Sequence, residues 1–302
     1  MSMDKLYKEY KKKIKETEWL KMYQPWLKWQ KYLLRHPINK ISDLSKIGVK
    51  YGTDKAGPEH NYTEVIYSPL LLGLKHEPIN ILEIGSGDIG ASLKMWREYF
   101  PNATIYCLEP FFCKTTKVTP QYLRQCSIKV FKGNQLSRDD LHGVASMPPD
   151  GFDVIVDDGA HNHDAHQISL GTLFPYLRSK GVYIIEDLHS AGDRAARLRD
   201  VNQWLDSSDI IDRSQVIYHK HDISIMDSIT HMSHRQGYRC KSLTQNERDY
   251  LTQNIKNAYF INDGLATGIY KAAVIEKKKD NTKKQSLVTV PKGFIHAESR
   301  KF

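Results

Sequence analysis

The chain has 302 residues, of which 40% are hydrophobic and 26% charged, and its formal net charge is +9. No apolar run approaches the roughly 20 residues that a membrane-spanning helix needs, so we expect no membrane contact. The N-terminus lacks the apolar core of a signal peptide, and the four cysteines lack zinc-binding spacing, so we expect a cytoplasmic protein with reduced thiols.

The charge is unevenly distributed, with a net +8 over residues 1–50, −5 over 51–270 and +6 over 271–302. A nucleic-acid enzyme usually carries its basic face beside the active site, whereas here the basic charge lies at both ends. Nucleic acid is therefore not a favoured partner, and solvated termini explain the pattern. We predict three parts: a helical extension over 1–50, a catalytic domain over 51–275 and an exposed basic tail over 276–302.

The first part reads as helix over residues 4–35, interrupted by Pro25 and Pro37. Trp19, Trp26 and Trp29 fall within eleven residues and need burial. We expect these helices to pack on the main domain or on a second subunit, which would make the protein a homo-oligomer. A lid over the substrate is the alternative.

From residue 79 onward, β-rich and helical segments alternate. The predicted strands span residues 79–84, 103–108, 127–131, 154–156 and 182–185. The predicted helices span residues 91–99, 120–125, 137–144 and 165–177. Repeated β-α units predict an α/β fold with a doubly wound, mainly parallel sheet, whose strand-end loops share one rim.

The pattern loosens after the fifth strand. Residues 192–205 look helical, and residues 215–218 and 223–226 are predicted to pair as strands. A closing strand over 265–275 would add an antiparallel strand to the sheet.

A glycine-rich turn follows the first predicted strand. Gly85, Gly87 and Gly90 fit the G-x-G-x-x-G pattern of a nucleotide cofactor, and Glu109 ends the next strand, where an acid holds a ribose diol. These features suit both NAD and S-adenosylmethionine (SAM). Glu83, two residues before the first glycine, suits a cationic amino-acid moiety better than a pyrophosphate. The turn therefore favours SAM over a dinucleotide.

Acidic clusters end the fourth and fifth strands: Asp157-Asp158-Gly159-Ala160-His161 and Glu186-Asp187. Carboxylates crowded on one rim repel each other, and a bound cation is the simplest way to stabilise them. We predict a Mg²⁺ site at Asp158, Glu186 and Asp187. His161 is predicted to be the general base that deprotonates a substrate hydroxyl, while Asp157 contacts the cofactor or caps the loop.

The chain resembles the metal- and SAM-dependent O-methyltransferases that tailor natural products, of the mycinamicin and tylosin deoxysugar type. The matching stretches are Tyr51-Gly52-Thr53-Asp54-Lys55 with Tyr62, Ile81-Leu82-Glu83-Ile84-Gly85, Ala91-Ser92-Leu93-Lys94-Met95-Trp96, Gly133-Asn134-Gln135, Val156-Asp157-Asp158-Gly159-Ala160-His161, Leu173-Phe174-Pro175 and Tyr183-Ile184-Ile185-Glu186-Asp187-Leu188. The resemblance departs at Glu109 and Asn134, where the family more often has Asp, and it fades after Ser190.

The resemblance implies a Rossmann-like class I SAM methyltransferase with Mg²⁺ held by Asp158, Glu186 and Asp187 and with His161 as base. It implies that the segment from Tyr51 to Lys55 closes over SAM, with Glu109 on the ribose and Gln135 near the adenine. The residues that we assign to the cofactor are Tyr51, Thr53, Lys55, Glu83, Gly85, Gly87, Ser92, Glu109, Gln135 and Asp157.

The predicted function is methylation of a hydroxyl on a secondary metabolite, with a polyketide, a hybrid peptide or a macrolide sugar as acceptor. The alternatives are an RNA-modifying methyltransferase, an NAD-dependent oxidoreductase and a non-catalytic SAM-binding subunit. Retention of the carboxylates and His161 argues against the last of these.

Overall fold

A computed structural model describes residues 41–57, 60–111, 118–188, 216–218, 242–262 and 270–290. The expectations for residues 4–35, 192–205 and 223–226, and those on oligomer contacts through the N-terminal helices, lie outside this part of the chain. The strands are β1 Asn80–Ile84, β2 Thr104–Glu109, β3 Ile128–Lys132, β4 Phe152–Asp157, β5 Leu177–Ile185, β6 Val216–Tyr218, β7 Ile255–Asn262 and β8 Tyr270–Lys277.

Helices flank these strands. The α-helices are α1 Asp43–Tyr51, α2 Ser68–Leu71, α3 Ala91–Tyr99, α4 Pro120–Gln125, α5 Arg138–Ala145, α6 His163–Leu173 and α7 Gln245–Asn254. A π-helix, Thr63–Tyr67, leads into α2, and 3₁₀ turns follow at Leu72–Leu74 and Phe174–Tyr176. Within the described residues, none of these helices is both long and apolar enough to cross a bilayer.

The described strands form one sheet with the order β3-β2-β1-β4-β5-β8-β7-β6. Strands β1 to β5 are parallel, and β8 pairs antiparallel with β5. The prediction of a doubly wound, mainly parallel sheet with an antiparallel addition is therefore confirmed. The chain moves outward from β1 to β3 and then returns to the other side of β1 with β4, so the topological switch point, where such sheets bind ligands, lies between β1 and β4.

Both faces of the sheet are covered, which is why its strands are apolar at nearly every position. Ile81 and Val154 point into one core cluster, together with the aromatic side chains of α3. Leu82 and Ile155 point into the other, under α5 and α6. Buried layers on both faces fix the rim from which the loops after β1, β2, β4 and β5 emerge.

A boundary error of four residues concerns α6, which was predicted to continue through residue 177. The helix ends at Leu173 and a 3₁₀ turn containing Pro175 follows, because a proline cannot donate to the preceding helical turn. Strand β5 then starts at Leu177, five residues earlier than predicted.

The expectation of an exposed tail from residue 276 holds for residues 279 and 281–285 but fails for residues 276–277, 286 and 288, which are buried. Strand β8 continues through Lys277, and Gln285 bridges to Ser179 beside the start of β5. Val288 is buried in the main core. At the other boundary, α1 starts at Asp43 and packs against α3, so the proposed division at residue 51 cuts through a helix.

Strand β6 matches the prediction for residues 215–218, but its described partner is β7, with which it pairs in parallel. Neither β7 nor α7 was predicted. Helix α7 begins with a capping box in which Thr244 and Glu247 bond to each other's backbone, a signal that the sequence carries.

Candidate active site

The glycine turn after β1 packs directly against the loop after β4. Gly85, Gly87 and Gly90 all have positive φ angles, of 95°, 56° and 64°. A Cβ atom built on Gly85 would lie 2.3 Å from the carbonyl oxygen of Asp158. The first glycine is therefore required by both its backbone angle and the close approach of the neighbouring loop.

Glu109, at the end of β2, holds the same turn from the other side. Its Oε2 accepts hydrogen bonds from the amide of Ser86 at 2.9 Å and from the Ser86 hydroxyl at 3.0 Å. Its Oε1 accepts from the amide of Phe111 at 3.1 Å. A carboxylate has about four acceptor positions, so it keeps capacity for a ribose diol.

A cavity of about 750 Å³ opens above this turn, a size typical of cofactor sites. Six of the predicted cofactor residues lie on its wall: Thr53, Gly85, Gly87, Ser92, Glu109 and Gln135. Asp158 and His161 also line it, so the cavity joins the glycine turn to the acidic rim.

Four predicted cofactor residues point elsewhere. The Tyr51 hydroxyl donates to Glu98 on α3 at 2.5 Å, on the outer side of the helix. The Glu83 carboxylate is fully buried and accepts from the indole N–H of Trp96 at 2.9 Å. Burial raises the pKa of Glu83 to about 7. Of the other two, Lys55 pairs with the acids of the rim, and Asp157 is bonded to side chains of the core beneath it.

Lys55 occupies the centre of the acidic rim and is only 1% exposed. Its Nζ lies 2.5 Å from Oε2 of Glu186 and 3.4 Å from Oε1 of Glu83, and it also pairs with Oδ2 of Asp158. Burial opposes the charge, but the attraction of these carboxylates outweighs it and raises the pKa of Lys55 well above its usual value. Lys55 is therefore an internal counter-ion of the acids.

The structure turns Glu186 away from the predicted metal site. One carboxylate oxygen bonds Lys55, and the other accepts from the hydroxyl of Tyr67. Burial raises the pKa of Glu186 well above its usual value. Because both of its oxygens already have buried partners, Glu186 does not join the other two predicted ligands.

Asp158, His161 and Asp187 do converge, each offering a ligand atom within 4.8 Å of the others. Nε2 of His161 lies 3.8 Å from Oδ1 of Asp158. His161 and Asp187 both have left-handed backbone angles, with φ of 48° and 51°, which turn their side chains back over the strand ends. The two carboxylates offer the oxygen ligands that Mg²⁺ prefers, with further positions left for water and substrate oxygens, and the imidazole lies beside them.

Three residues before α2 complete the rim: His60, Tyr62 and Tyr67. The sequence interpretation named Tyr62 only as part of the resemblance and missed His60 and Tyr67. The Tyr62 hydroxyl donates to Oδ1 of Asp187 at 2.9 Å, and Nε2 of His60 lies 3.7 Å from the same oxygen. Tyr62 and Tyr67 are five residues apart, and the intervening π-helix places both hydroxyls on the neighbouring acids Asp187 and Glu186. A five-residue aromatic spacing was the available signal, but it does not match an ordinary helix.

Asp157 lies beneath the rim and is fully buried. It accepts hydrogen bonds from Gln135 at 2.6 Å, from Ser169 at 2.7 Å and from Tyr183 at 3.1 Å. This network places the Asp157 side chain in the core, where it accepts from three side chains. It does not line the cavity, and none of these bonds caps the following loop.

Curated proteins similar to this chain are natural-product O-methyltransferases, and no family model matches it. It is 31% identical over 187 residues to 8-demethyl-8-(2-methoxy-alpha-L-rhamnosyl)-tetracenomycin-C 3'-O-methyltransferase of Streptomyces olivaceus, covering 60% of this chain and 45% of that protein. It is 31% identical to L-olivosyl-oleandolide 3-O-methyltransferase of Streptomyces antibioticus and 30% identical to mycinamicin VI 2''-O-methyltransferase of Micromonospora griseorubida. These matches cover 51% and 49% of this chain, and 39% and 37% of the relatives.

The resemblance predicted from the sequence is therefore confirmed, although the chain spans less than half the length of these relatives. Among solved structures, it is similar to MycE methyltransferase from the mycinamycin biosynthetic pathway in complex with Mg, SAH and mycinamycin VI. The TM-score is 0.53 at 23% identity, covering 80% of this chain and 56% of that one. A second MycE structure, with Mg and SAH, covers 86% and 60% at a TM-score of 0.53 and 22% identity. This likeness shows the Rossmann-like methyltransferase fold.

Proposed function

We propose that this chain is a SAM- and Mg²⁺-dependent O-methyltransferase that methylates a sugar hydroxyl of a glycosylated natural product. The observation that carries the proposal is the shared cavity. The glycine turn with Glu109 lines it, and so do Asp158 and His161 of the converging acidic group. A donor and an activated acceptor could meet in that single space.

The residues on the wall fit SAM. Glu109 keeps acceptor capacity for a ribose diol, and the positive-φ glycines let the backbone approach a ligand closely. When bound there, SAM would supply the methyl group as an electrophile. Thr53 and Ser92 flank the turn and offer hydroxyls to the amino-acid end of the cofactor, a role that was also assigned to Glu83.

The acidic group fits a divalent cation. Burial raises the pKa values of Glu83 and Glu186, which face Lys55 on the inner side of the group, and so favours their neutral forms. Asp158 and Asp187 converge on the open side, where a cation would offset the repulsion between their carboxylates. When bound there, Mg²⁺ would lower the pKa of a substrate hydroxyl.

His161 is the base in this proposal. Its imidazole is about one-third exposed and faces the cavity, so Nε2 can accept the hydroxyl proton from an acceptor on that side. Asp158, 3.8 Å from Nε2, then stabilises the resulting imidazolium. The described residues around the rim exclude water from below, since Lys55, Tyr62 and Tyr67 are buried.

A sugar acceptor is supported by the relatives, whose names specify a rhamnosyl-tetracenomycin, an olivosyl-oleandolide and mycinamicin VI as substrates. Vicinal sugar oxygens also offer two ligands to one cation. This narrows the range of acceptors that the sequence left open.

The test is transfer of a labelled methyl group from SAM to a panel of polyketide glycosides with free vicinal sugar hydroxyls, with Mg²⁺ and with EDTA. The proposal expects labelled product with Mg²⁺ and none with EDTA. Transfer that is unaffected by EDTA would refute the role of the cation. Labelling of RNA instead, or thermal stabilisation by NAD and not by SAM, would refute the proposed function.

A further inference from the structure

We infer that Gln135 is a positioning residue that fixes the loop carrying Asp158 and His161, and that its side chain donates no hydrogen bond to the adenine of the cofactor. The inference rests on the proposed function, because it concerns the loop to which that proposal assigns the cation and the base. Gln135 follows β3, on the cavity wall, and its side chain is 5% exposed.

One end of the Gln135 amide is held by the core. Its Nε2 donates to Oδ1 of Asp157 at 2.6 Å and to Oγ of Ser169 at 2.9 Å. A primary amide has two N–H donors, so both are used. No donor remains for a ring nitrogen of a purine.

The acceptors of those two bonds are themselves fixed. Ser169, on α6, donates to Oδ2 of Asp157 at 2.7 Å, and the hydroxyl of Tyr183, on β5, bonds to the same oxygen at 3.1 Å. All four side chains are buried. Burial raises the pKa of Tyr183 well above its usual value, so its hydroxyl stays protonated and can donate. The network therefore ties the loop after β3 to three other elements.

The other end of the amide holds the acidic loop. Oε1 of Gln135 accepts from the backbone N–H of Ala160 at 2.8 Å. A Cβ atom built on Gly159 would lie 2.1 Å from the same Oε1, so the loop can approach this closely only with glycine there. Asp158 and His161 flank these two positions on either side. Their placement therefore depends on Gln135.

His161 depends on such support for a second reason. Its φ of 48° is in the left-handed region, which is unfavourable for a residue with a side chain. Nδ1 of His161 is buried and, among the described residues, has no hydrogen-bond partner that would hold the ring. The backbone bond at Ala160 is thus the nearest fixed point before the imidazole.

The test compares Gln135→Leu with the neighbouring control Leu136→Ala, whose side chain is about half exposed. Mg²⁺ affinity and S-adenosylhomocysteine affinity are measured by calorimetry on each purified protein. Loss of a residue that orients metal ligands typically lowers metal affinity 10- to 100-fold. We expect such a loss for Mg²⁺ in Gln135→Leu, with the affinity for S-adenosylhomocysteine changed by less than about threefold and the control unchanged. The reverse split, with the nucleotide affinity lost and Mg²⁺ binding retained, would overturn the inference.

Hydrogen exchange of residues 158–162 in the ligand-free proteins provides an independent measurement. We expect faster exchange at Ala160 in Gln135→Leu than in the wild type, and unchanged exchange would also overturn the inference. If Gln135→Leu does not fold, Ser169→Ala replaces it, because this change removes one partner of the Gln135 amide at a position that does not line the cavity. We expect it to lower the Mg²⁺ affinity and to speed exchange at Ala160, in both cases by less than Gln135→Leu. If the wild-type protein binds no Mg²⁺ but Ala160 still exchanges faster in Gln135→Leu, the proposed function is refuted and the positioning role of Gln135 is retained.

Discussion

Lys55 and Glu186 form a buried ion pair, with Nζ 2.5 Å from Oε2. Lys55 also pairs with Asp158, which faces the proposed cation site, so one side chain links the acids of the core to those of the cavity. Lys55, which the sequence assigned to the cofactor, therefore acts on the acidic rim, whereas Thr53 of the same segment lines the cavity.

Replacing Lys55 with methionine should destabilise the protein by about 3–5 kcal/mol, because buried carboxylates would lose their counter-ion. Saturating Mg²⁺ should restore part of this loss by binding the folded state. Urea denaturation with EDTA and with Mg²⁺ measures both effects. Lys50→Met is the matched control, since Lys50 pairs with Glu98 at the surface, and should have little effect. Equal stability of the two variants would contradict the role of Lys55.

Asp187→Asn should weaken Mg²⁺ binding more than Glu186→Gln does, because Asp187 converges with Asp158 whereas Glu186 bonds Lys55 and Tyr67. We expect a loss of at least about tenfold for Asp187→Asn. Glu186→Gln should mainly lower stability. Calorimetric titration with Mg²⁺, together with denaturation of each variant, separates the two effects. A larger loss of affinity in Glu186→Gln would mean that Glu186 turns towards the cation when it binds.

His161→Ala should lower the rate of methyl transfer by a factor of about 10²–10⁴, because the general base is lost. The affinity for S-adenosylhomocysteine should stay close to that of the wild type. The reason is that His161 belongs to the converging acidic group, whereas Glu109 and the glycine turn supply the contacts proposed for the nucleotide. Single-turnover kinetics and calorimetry on the same preparation provide the comparison. Lost nucleotide binding would show that His161 supports the fold of the site instead.

Gly85→Ala should be more damaging than Gly87→Ala. Both glycines have positive φ, so each alanine brings backbone strain of about 1 kcal/mol. Only Gly85 has a neighbour, the carbonyl oxygen of Asp158, in the place of the new methyl group, whereas nothing lies within 4 Å at Gly87. The midpoint temperature of thermal unfolding and the Mg²⁺ affinity should both fall further in Gly85→Ala than in Gly87→Ala. Similar losses in the two variants would show that backbone angle alone accounts for the glycines.

Lys277 should make stability depend on pH. Its Nζ is buried and donates to the carbonyl oxygens of Phe174, Pro175 and Leu177 at 2.9–3.1 Å, and burial lowers its pKa to about 7. Because an unfolded lysine has a pKa near 10.4, the unfolded chain binds more protons between about pH 7 and pH 10. The free energy of unfolding should therefore rise over this window.

The slope from one such proton is about 1.4 kcal/mol per pH unit. Denaturation curves of the wild type and Lys277→Met between pH 6 and pH 10 isolate the contribution, since every other titrating group is common to both. Parallel curves would show that the three carbonyl groups keep the ammonium charged throughout.

The sheet and the acidic rim could be predicted because they depend on local signals. Alternating apolar strands, the spacing of Gly85 and Gly87 and the acids after β4 and β5 are all readable within a few residues. The end of α6 was readable as well, because Pro175 marks it, but the apolar residues around that proline imitated a longer helix.

The directions of the side chains could not be predicted in the same way. Glu186 and Asp187 are adjacent, and only the tertiary positions of Lys55 and Tyr67 decide which of the two faces the cavity. Gln135 was assigned to adenine on the family resemblance alone. Its actual partners, Asp157 and Ser169, are 22 and 34 residues away, and no local pattern identifies them.

The ion pair of Lys55 and Glu186 closes a loop of 131 positions, and Glu83 and Asp158 enter the same group at intermediate points. Contacts between such distant positions form late, because loop-closure entropy must be overcome first. During synthesis, Lys55 lacks its partner Glu186 until the ribosome has passed β5. The segment before α2 can therefore settle over the acidic rim only once β5 and Glu186 have emerged, so its docking reports that the parallel part of the sheet has formed.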